Sequence, residues 1–376
     1  MNIRERVMAV CRHEDPDRIP FFIFENLLPR GHAERRFRDL GLGLWAVEPV
    51  YRMENPKVKI REARYFDTWY SRESFIFGRS VSGGIVSRTY HTPAGEVSSR
   101  SRVGLGYEGS EWCMDYMIKD LADYDAVKYL VEETVYIPSH ETFLKRDRII
   151  GDDGIVLAYV PKSPLQLMLH VFMGHKRFAL DYYRHRREFE DLMRVIWRKE
   201  TEIYRIVADS PAEVVWCGDN VDGIILGPKT FERYHVPFYN EVARILHKKG
   251  KTLAVHLDGR LGCLSNAIQK TNIDIVEAFT PPPMGDLSIE EAKAAWKGKF
   301  IIYVNFPTTV FLSERRSVKK YALDVLRSIA PGEGFIIGVT ENIPTHVFES
   351  SLGTAVETIA NYGRCPISRE GLPFTA

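Results

Sequence analysis

Residues 251–260 read Lys-Thr-Leu-Ala-Val-His-Leu-Asp-Gly-Arg, an apolar run that ends in His256, Asp258 and Gly259. Side chains alternate between the two faces of a strand, so a buried strand that ends here presents His256 and Asp258 from one face. In α/β proteins the functional side chains gather at the carboxyl ends of buried strands. The stretch therefore predicts a buried parallel strand with part of a functional site at its end.

Similar short apolar runs recur along the chain, and stretches long enough for a helix separate most of them. Near-continuous apolar strands that alternate with helices indicate a parallel sheet covered on both faces. The runs are residues 19–24, 155–160, 213–217, 252–256, 273–278, 300–304 and 334–339. With an eighth strand in the irregular N-terminal part, they predict a closed (β/α)8 TIM barrel. A doubly wound open sheet is the alternative, but no Gly-x-Gly-x-x-Gly follows any of these runs.

Residues 32–150 depart from this rhythm and contain short alternating runs around the turn His-Thr-Pro-Ala-Gly-Glu at 91–96. Alternating runs joined by a tight turn are typical of hairpins. We therefore expect one barrel domain over residues 1–376, with 32–150 as a hairpin-rich insertion that forms a lid or a pocket wall.

The charges nearly cancel, with 51 basic and 50 acidic residues, and no long block of like charge suggests a nucleic-acid or membrane partner. A small molecule or a protein is the expected partner. The cysteines are few, scattered and odd in number, which fits a reducing compartment. The charged N-terminus and the lack of 18 consecutive apolar residues lead us to expect a soluble cytoplasmic protein.

Polar residues follow nearly every predicted strand, and in a parallel barrel these positions converge on one mouth. Any one member of this ring could equally be an ordinary solvated loop residue or a functional one. The recurrence of such residues after nearly every strand favours a site. We expect catalytic roles for Glu25, Tyr159 and Asp219. The expected substrate-binding residues are Asn26, Arg30, Asn220, Asp222 and Asn305. For residues 219–222, a turn closed by side-chain hydrogen bonds remains an equal alternative.

His256 and Asp258 have a structural and a functional interpretation. In the structural one, His256 is a core histidine bonded to a nearby carbonyl and Asp258 caps a helix. In the functional one, His256, Asp258 and Glu341 form a metal site with three protein ligands and an open position, as catalytic Zn²⁺ requires. The carboxylates would also suit other divalent metals.

Several segments, taken in order, resemble the uroporphyrinogen decarboxylase superfamily, which includes corrinoid-dependent methyltransferases. They are Asp-Arg-Ile-Pro at 17–20, Thr-Pro-Ala-Gly at 92–95, Gly-Pro-Lys-Thr-Phe-Glu-Arg-Tyr-His-Val-Pro at 227–237, His-Leu-Asp-Gly at 256–259 and Met-Gly-Asp-Leu at 284–287. The resemblance is strongest from about 150 to 362, and it implies a (β/α)8 barrel.

Departures from the family pattern favour one branch. Uroporphyrinogen decarboxylases carry Arg-Gln-Ala-Gly-Arg after the first strand, whereas residues 24–30 read Phe-Glu-Asn-Leu-Leu-Pro-Arg, and Glu25 argues against a porphyrinogen carboxylate there. In the methyltransferase branch, His-x-Cys and a later Cys hold zinc. Here His256 matches the histidine of that pattern, Asp258 occupies the position of the first Cys, and Glu341 lies at about the position of the second Cys.

A zinc ion held by His, Asp and Glu is a harder Lewis acid than one held by thiolates, and it could polarise an oxygen or nitrogen that carries a methyl group. The resemblance therefore implies an enzyme that moves a methyl group from a small O- or N-methylated compound to cobalamin on a separate corrinoid protein. Its implied cofactor is Zn²⁺ or another divalent metal, and the family implies a homodimer. A decarboxylase that protonates a carbanion, and a non-catalytic barrel that binds a ligand or a corrinoid, are the alternatives.

Overall fold

Within the residues that the computed structural model describes, 1–67, 83–104 and 111–373, eight strands close into a parallel barrel. They are β1 (Phe21–Phe24), β2 (Leu42–Glu48), β9 (Gly154–Val160), β10 (Val214–Cys217), β11 (Thr252–His256), β12 (Ile275–Phe279), β13 (Ile301–Asn305) and β14 (Phe335–Val339). Around the barrel the order is β1-β14-β13-β12-β11-β10-β9-β2. The predicted (β/α)8 fold is confirmed, and β2 is the eighth strand expected in the N-terminal part.

The chain divides into two compact units. The barrel unit comprises residues 1–50, 138–161 and 204–376, and the second unit comprises 51–137 and 162–203. The predicted insertion, 32–150, differs from the second unit because it contains β2 and the barrel-unit helix Glu141–Ile150. It also spans residues 68–82 and 105–110, which lie outside the described residues.

Helices of the barrel unit precede, connect or follow its strands. They are Ile3–Cys11, His32–Asp39, Glu141–Ile150, Gly223–His247, Ser265–Ile268, Ile289–Trp296, Thr308–Phe311, Arg315–Ile329, Thr345–Val347 and Gly353–Tyr362, with short 3₁₀ turns at Glu25–Leu27, Gly151–Asp153 and Gly262–Leu264 and a π turn at Phe348–Leu352. Ser288 and Glu291 form a capping box that satisfies backbone N–H groups at the start of Ile289–Trp296. Asp222 caps Gly223–His247 in the same way by accepting a hydrogen bond from the Ile224 N–H.

The second unit contains a four-stranded antiparallel sheet in the order β4 (Lys59–Asp67), β5 (Gly83–Thr92), β6 (Gly95–Val103) and β7 (Glu111–Asp115). The turn between β5 and β6 is closed by the Thr92 hydroxyl, which donates to the Gly95 carbonyl at 2.8 Å. This confirms the predicted hairpin. The remaining elements are β3 (Tyr51–Glu54), which pairs with β8 (Val135–Pro138), and the helices Asp123–Glu133, Pro164–Leu167, Met168–Met173 (π), Gly174–Arg184 and Arg186–Ala208, the last of which continues into the barrel unit.

No helix in the described part of the chain combines the length and apolar character needed to cross a membrane.

Large side chains fill the barrel interior. Phe22, Trp45, Leu157, Tyr303 and Ile336 are buried in one apolar cluster, in which the rings of Trp45 and Tyr303 lie 4.9 Å apart. The Tyr303 ring lies directly on the backbone of β14, because a Cβ added at Gly338 would come within 2.0 Å of the Tyr303 hydroxyl. The absence of a side chain at Gly338 is therefore what makes room for this tyrosine.

Gly338→Ala is expected to lower the free energy of unfolding by about 1–3 kcal/mol, because the new methyl group overpacks the interior against Tyr303. Urea denaturation measures the change. Gly371→Ala is the matched control, since its added Cβ meets Ser368 at an ordinary 3.6 Å. Equal unfolding midpoints for wild type and Gly338→Ala would contradict the tight contact.

Candidate active site

Three adjacent strands, β10, β11 and β12, determine a polar group at the carboxyl end of the barrel. We call His256, Asp258 and Glu277 the central polar group. His256 is the last residue of β11 and pairs in register with Glu277 of β12. Trp216 of β10 pairs with Ala254, two residues before His256. Because residues two apart on a strand share a face, these side chains come together inside the barrel end.

Glu277 is fully buried and ties two side chains together through one oxygen. Its Oε2 lies 2.5 Å from His256 Nδ1 and accepts a hydrogen bond from Trp216 Nε1 at 2.9 Å. A carboxylate can only accept, so Nδ1 of His256 carries the hydrogen of this bond. Glu277 thereby fixes both the imidazole orientation and the position of the Trp216 ring.

Asp258 faces the other imidazole nitrogen. Its Oδ2 lies 3.5 Å from His256 Nε2 and accepts a hydrogen bond from Asn220 Nδ2 at 3.0 Å. The Asn220 N–H donates to the His256 carbonyl at 3.0 Å, and Asn220 has a φ of 56°, a left-handed conformation that asparagine tolerates better than most residues. The loops after β10 and β11 therefore hold Asp258 in place beside His256.

The two carboxylates control the charge of His256. Burial by itself lowers the pKa of His256, but the charges and hydrogen bonds of Glu277 and Asp258 outweigh it and raise that pKa to about 10. Burial raises the pKa of Asp258, but its contacts with His256 and Asn220 outweigh that effect and lower it overall. His256 is therefore an imidazolium at neutral pH. It holds its proton too tightly to be an efficient general acid, and both of its nitrogens face carboxylates.

Aromatic rings surround this group. The Trp216 ring centroid lies 5.6 Å from that of His256, 5.9 Å from that of Phe24 and 6.1 Å from that of Tyr159. Tyr159, an expected catalytic residue, keeps 36% of its surface exposed. We call Phe24, Tyr159 and Trp216 the aromatic wall.

Glu25, which the sequence predicts to be catalytic, is buried between two arginines. It pairs with Arg30 through Oε1, and Arg146 donates to Oε2 at 2.6 Å. Arg30 also contacts Glu34 at 3.0 Å, and Arg146 lies 3.6 Å from Glu48. Glu25 thus holds the two guanidinium groups, and its own charge is balanced by them.

Three other predicted residues support the loops of the barrel. Asp219 is fully buried and accepts a hydrogen bond from Tyr239. Asp222 pairs with Arg260 at 3.1 Å and also caps the following helix. The cap is a side-chain hydrogen bond to the backbone, as expected if residues 219–222 form a turn. Asn305 is fully buried, donates to the Thr280 hydroxyl and accepts from the Thr340 N–H, both at 3.1 Å. Asn26 is exposed directly after β1.

The predicted metal ligands are only partly brought together. His256 and Asp258 are neighbours, whereas Glu341 accepts a hydrogen bond from the Thr308 hydroxyl. Among residues 1–67, 83–104 and 111–373, no group of three or more His, Cys, Asp or Glu side chains is arranged to hold a metal ion. As placed, His256, Asp258 and Glu341 do not fit a three-ligand metal centre, and the metal stays a prediction.

The sequence pattern assigns no role to Glu277 or to Trp216. A signal for Glu277 is present, because it is the lone charge within the otherwise apolar strand β12. A buried charge is retained only where partners satisfy it. The partners themselves come from other strands and are visible only once the barrel register is known.

Comparison with known proteins assigns the chain to a family. Residues 122–362, more than half of the chain, match the family model described as uroporphyrinogen decarboxylase (URO-D). The chain belongs to the uroporphyrinogen decarboxylase family. The match includes all four strands from β10 to β13 and therefore His256, Asp258 and Glu277. No curated protein matches the uroporphyrinogen decarboxylase-like chain by sequence.

Two solved structures are similar to this uroporphyrinogen decarboxylase family member to different degrees. A methyltransferase from Methanosarcina mazei is similar with a TM-score of 0.54 and 12% identity, over 95% of this chain and 99% of that one. Dispersin B is a much weaker match, with a TM-score of 0.31 and 11% identity, over 69% of this chain and 80% of that one. At this identity, the likeness to the methyltransferase establishes a common fold.

Proposed function

We propose that this chain is an enzyme that transfers a methyl group from a small O- or N-methylated compound to a corrinoid carried by a separate protein. The observation that carries the proposal is the imidazolium of His256, held between Glu277 and Asp258 beside the aromatic wall. The fold shared with the Methanosarcina mazei methyltransferase supports the same reaction class.

A reduced corrinoid supplies the electron pair that takes up a methyl group. The residues of this chain bind and orient the donor. The aromatic wall packs against the apolar methyl-bearing group and keeps water from it. Glu277 and Asp258 face the two nitrogens of His256, and Asn220 holds Asp258, so this fixed polar group orients the donor beside the aromatic wall.

A metal is a separate part of the proposal, and no step above passes through it. Zinc would require Glu341 to leave Thr308 and join His256 and Asp258. Metal analysis of the purified chain tests this part. One zinc per chain that is lost in Glu341→Ala would support the predicted ligand set, and an unchanged metal content in that variant would contradict it.

Decarboxylation, in which an acid protonates a carbanion after loss of CO₂, is the second candidate. Arg30 and Arg146 offer guanidinium groups that could hold a substrate carboxylate if Glu25 released one of them. Release of CO₂ from small carboxylates, without methyl transfer, would favour this candidate.

Methyl transfer is tested with free cob(I)alamin as the acceptor and methoxylated or N-methylated compounds as donors. We expect donor-dependent formation of methylcobalamin, seen as a change in the corrinoid absorption spectrum. Asp258→Asn should slow it about 10-fold, because a group that orients and charges a functional histidine is lost. Asp209→Asn, an exposed aspartate paired with Lys249, is the control and should leave the rate unchanged. Failure of every donor would contradict the proposed function.

A further inference from the structure

The central polar group carries more negative than positive charge. His256 is flanked by Glu277 at 2.5 Å on one nitrogen and by Asp258 at 3.5 Å on the other. Two carboxylates against one imidazole leave an excess negative charge whether the ring is neutral or protonated. This part of the barrel end therefore attracts a cation rather than a neutral or anionic group.

One of these carboxylates has an unused oxygen. Glu277 is fully buried, and its Oε1 has no hydrogen-bond partner among the residues that the structure describes. Its other oxygen already serves both His256 and Trp216. The negative charge on this buried oxygen is therefore not compensated by a hydrogen bond, and it adds to the attraction of the barrel end for a cation.

The aromatic wall provides the second half of a cation site. The rings of Phe24 and Tyr159 lie 5.9 Å and 6.1 Å from that of Trp216, and all three side chains keep some exposed surface. Aromatic faces attract cations, most strongly those that lack N–H groups to share with water. Quaternary ammonium groups are the cations that such faces recognise best.

The two arginines paired with Glu25, the residue that follows Phe24, do not oppose such a ligand. Arg30 and Arg146 are both paired with Glu25, and their second contacts are to Glu34 and Glu48. Glu34 also pairs with Arg38, which in turn pairs with Asp153, so four carboxylates face three guanidinium groups in this connected set. No excess positive charge arises from this set next to the aromatic wall.

We propose that the methyl donor is a quaternary ammonium compound whose cationic head lies against the aromatic wall, beside Asp258 and Glu277. This inference rests on the proposed methyl transfer and names its substrate class. In the reaction the N–CH₃ bond breaks and its electron pair stays on nitrogen, so a neutral tertiary amine leaves. The methyl carbon forms its new bond with the electron pair of the reduced corrinoid, and no proton is required.

Binding to the purified full-length chain by calorimetry tests the cation site without any turnover. The probes are choline and its uncharged isostere 3,3-dimethyl-1-butanol, which have the same shape. We expect choline to bind about 10-fold more tightly, and Trp216→Leu to weaken choline binding about 5- to 30-fold with a smaller effect on the neutral probe. Asp258→Asn, which keeps all three rings, should also reduce the preference for choline.

Trp112→Leu is the matched control, because Trp112 is a tryptophan of the second unit with 69% of its surface exposed. It should bind both probes as the wild type does. If Trp216→Leu does not fold, Trp216→Phe keeps a ring at the position and should retain the preference for choline.

Two outcomes separate this inference from the proposed function. Equal binding of the two probes, together with methyl transfer from methoxylated donors, overturns the cation site and leaves methyl transfer standing. A preference for choline without methyl transfer from any donor overturns the proposed function and leaves the cation site standing.

Discussion

Replacing Glu277 with alanine is expected to lower the free energy of unfolding by about 3–5 kcal/mol, the usual cost of removing one partner of a buried ion pair. The change leaves the His256 imidazolium without its 2.5 Å contact and the Trp216 N–H without its acceptor. His256 then either loses its proton or remains as a buried charge, and both outcomes are unfavourable.

Urea denaturation measures this loss, and its pH dependence identifies the cause. The raised pKa of His256 contributes stability that is complete below about pH 6.5, the pKa of an unfolded histidine. The contribution is lost as the pH rises through about 10, the pKa of His256 in the folded chain. The difference between wild type and Glu277→Ala should therefore shrink across that range.

Two further variants make the result specific. Glu277→Gln retains an acceptor oxygen without the charge, so it should be less destabilised than Glu277→Ala. Glu333→Ala removes an exposed glutamate and should change stability by less than about 0.5 kcal/mol. A pH-independent loss in Glu277→Ala would show that packing, rather than the charge of His256, is what Glu277 provides.

The barrel could be predicted because its strands are nearly continuous apolar runs. The run at 252–256 coincides with β11, and the runs at 300–304 and 334–339 lie within one residue of β13 and β14. The strand β2 was expected only as an unplaced eighth strand. Its residues, Leu42–Glu48, include a glycine and a terminal glutamate, so they do not form a continuous apolar run. One of its partners, β1, is the preceding strand, but the other, β9, is distant in sequence.

The site was predictable only where its members share one strand end. His256 and Asp258 are two residues apart, and their common direction follows from strand alternation. Glu277 and Trp216 reach His256 through the register of β10, β11 and β12, which depends on contacts distant in sequence. Glu341 was expected beside them, but the loop after β14 gives it Thr308 as a partner, and no periodic pattern specifies loop conformations.

A second large effect is expected at His235, on the helix Gly223–His247. His235 is 1% exposed, and its ring is stacked on Phe231 at 4.9 Å and lies 5.5 Å from Tyr239. Neither ring nitrogen has a hydrogen-bond partner within the described part of the chain. Burial lowers the pKa of His235 to about 4, and the nearby charge of Asp219 only partly opposes this.

The sign of the resulting pH dependence is fixed by the direction of the shift. Between pH 6.5 and about 4 the unfolded chain binds a proton at this position and the folded chain does not, so acid favours unfolding. The stability that neutral His235 contributes is complete above pH 6.5. The fall in the pKa of His235 from about 6.5 to about 4 on folding corresponds to about 3 kcal/mol of stability lost by pH 4.

His235→Phe removes the titrating group and keeps an aromatic ring in the stack with Phe231. Urea denaturation of both proteins at pH 7.5 and pH 4.5 should show a smaller acid loss in the variant, by most of that 3 kcal/mol. Carboxylates that titrate in the same range are present in both proteins, so their effects largely cancel in the comparison. Equal acid losses in the two proteins would mean that His235 is protonated in the folded chain, with Asp219 as the neighbouring charge that would stabilise it.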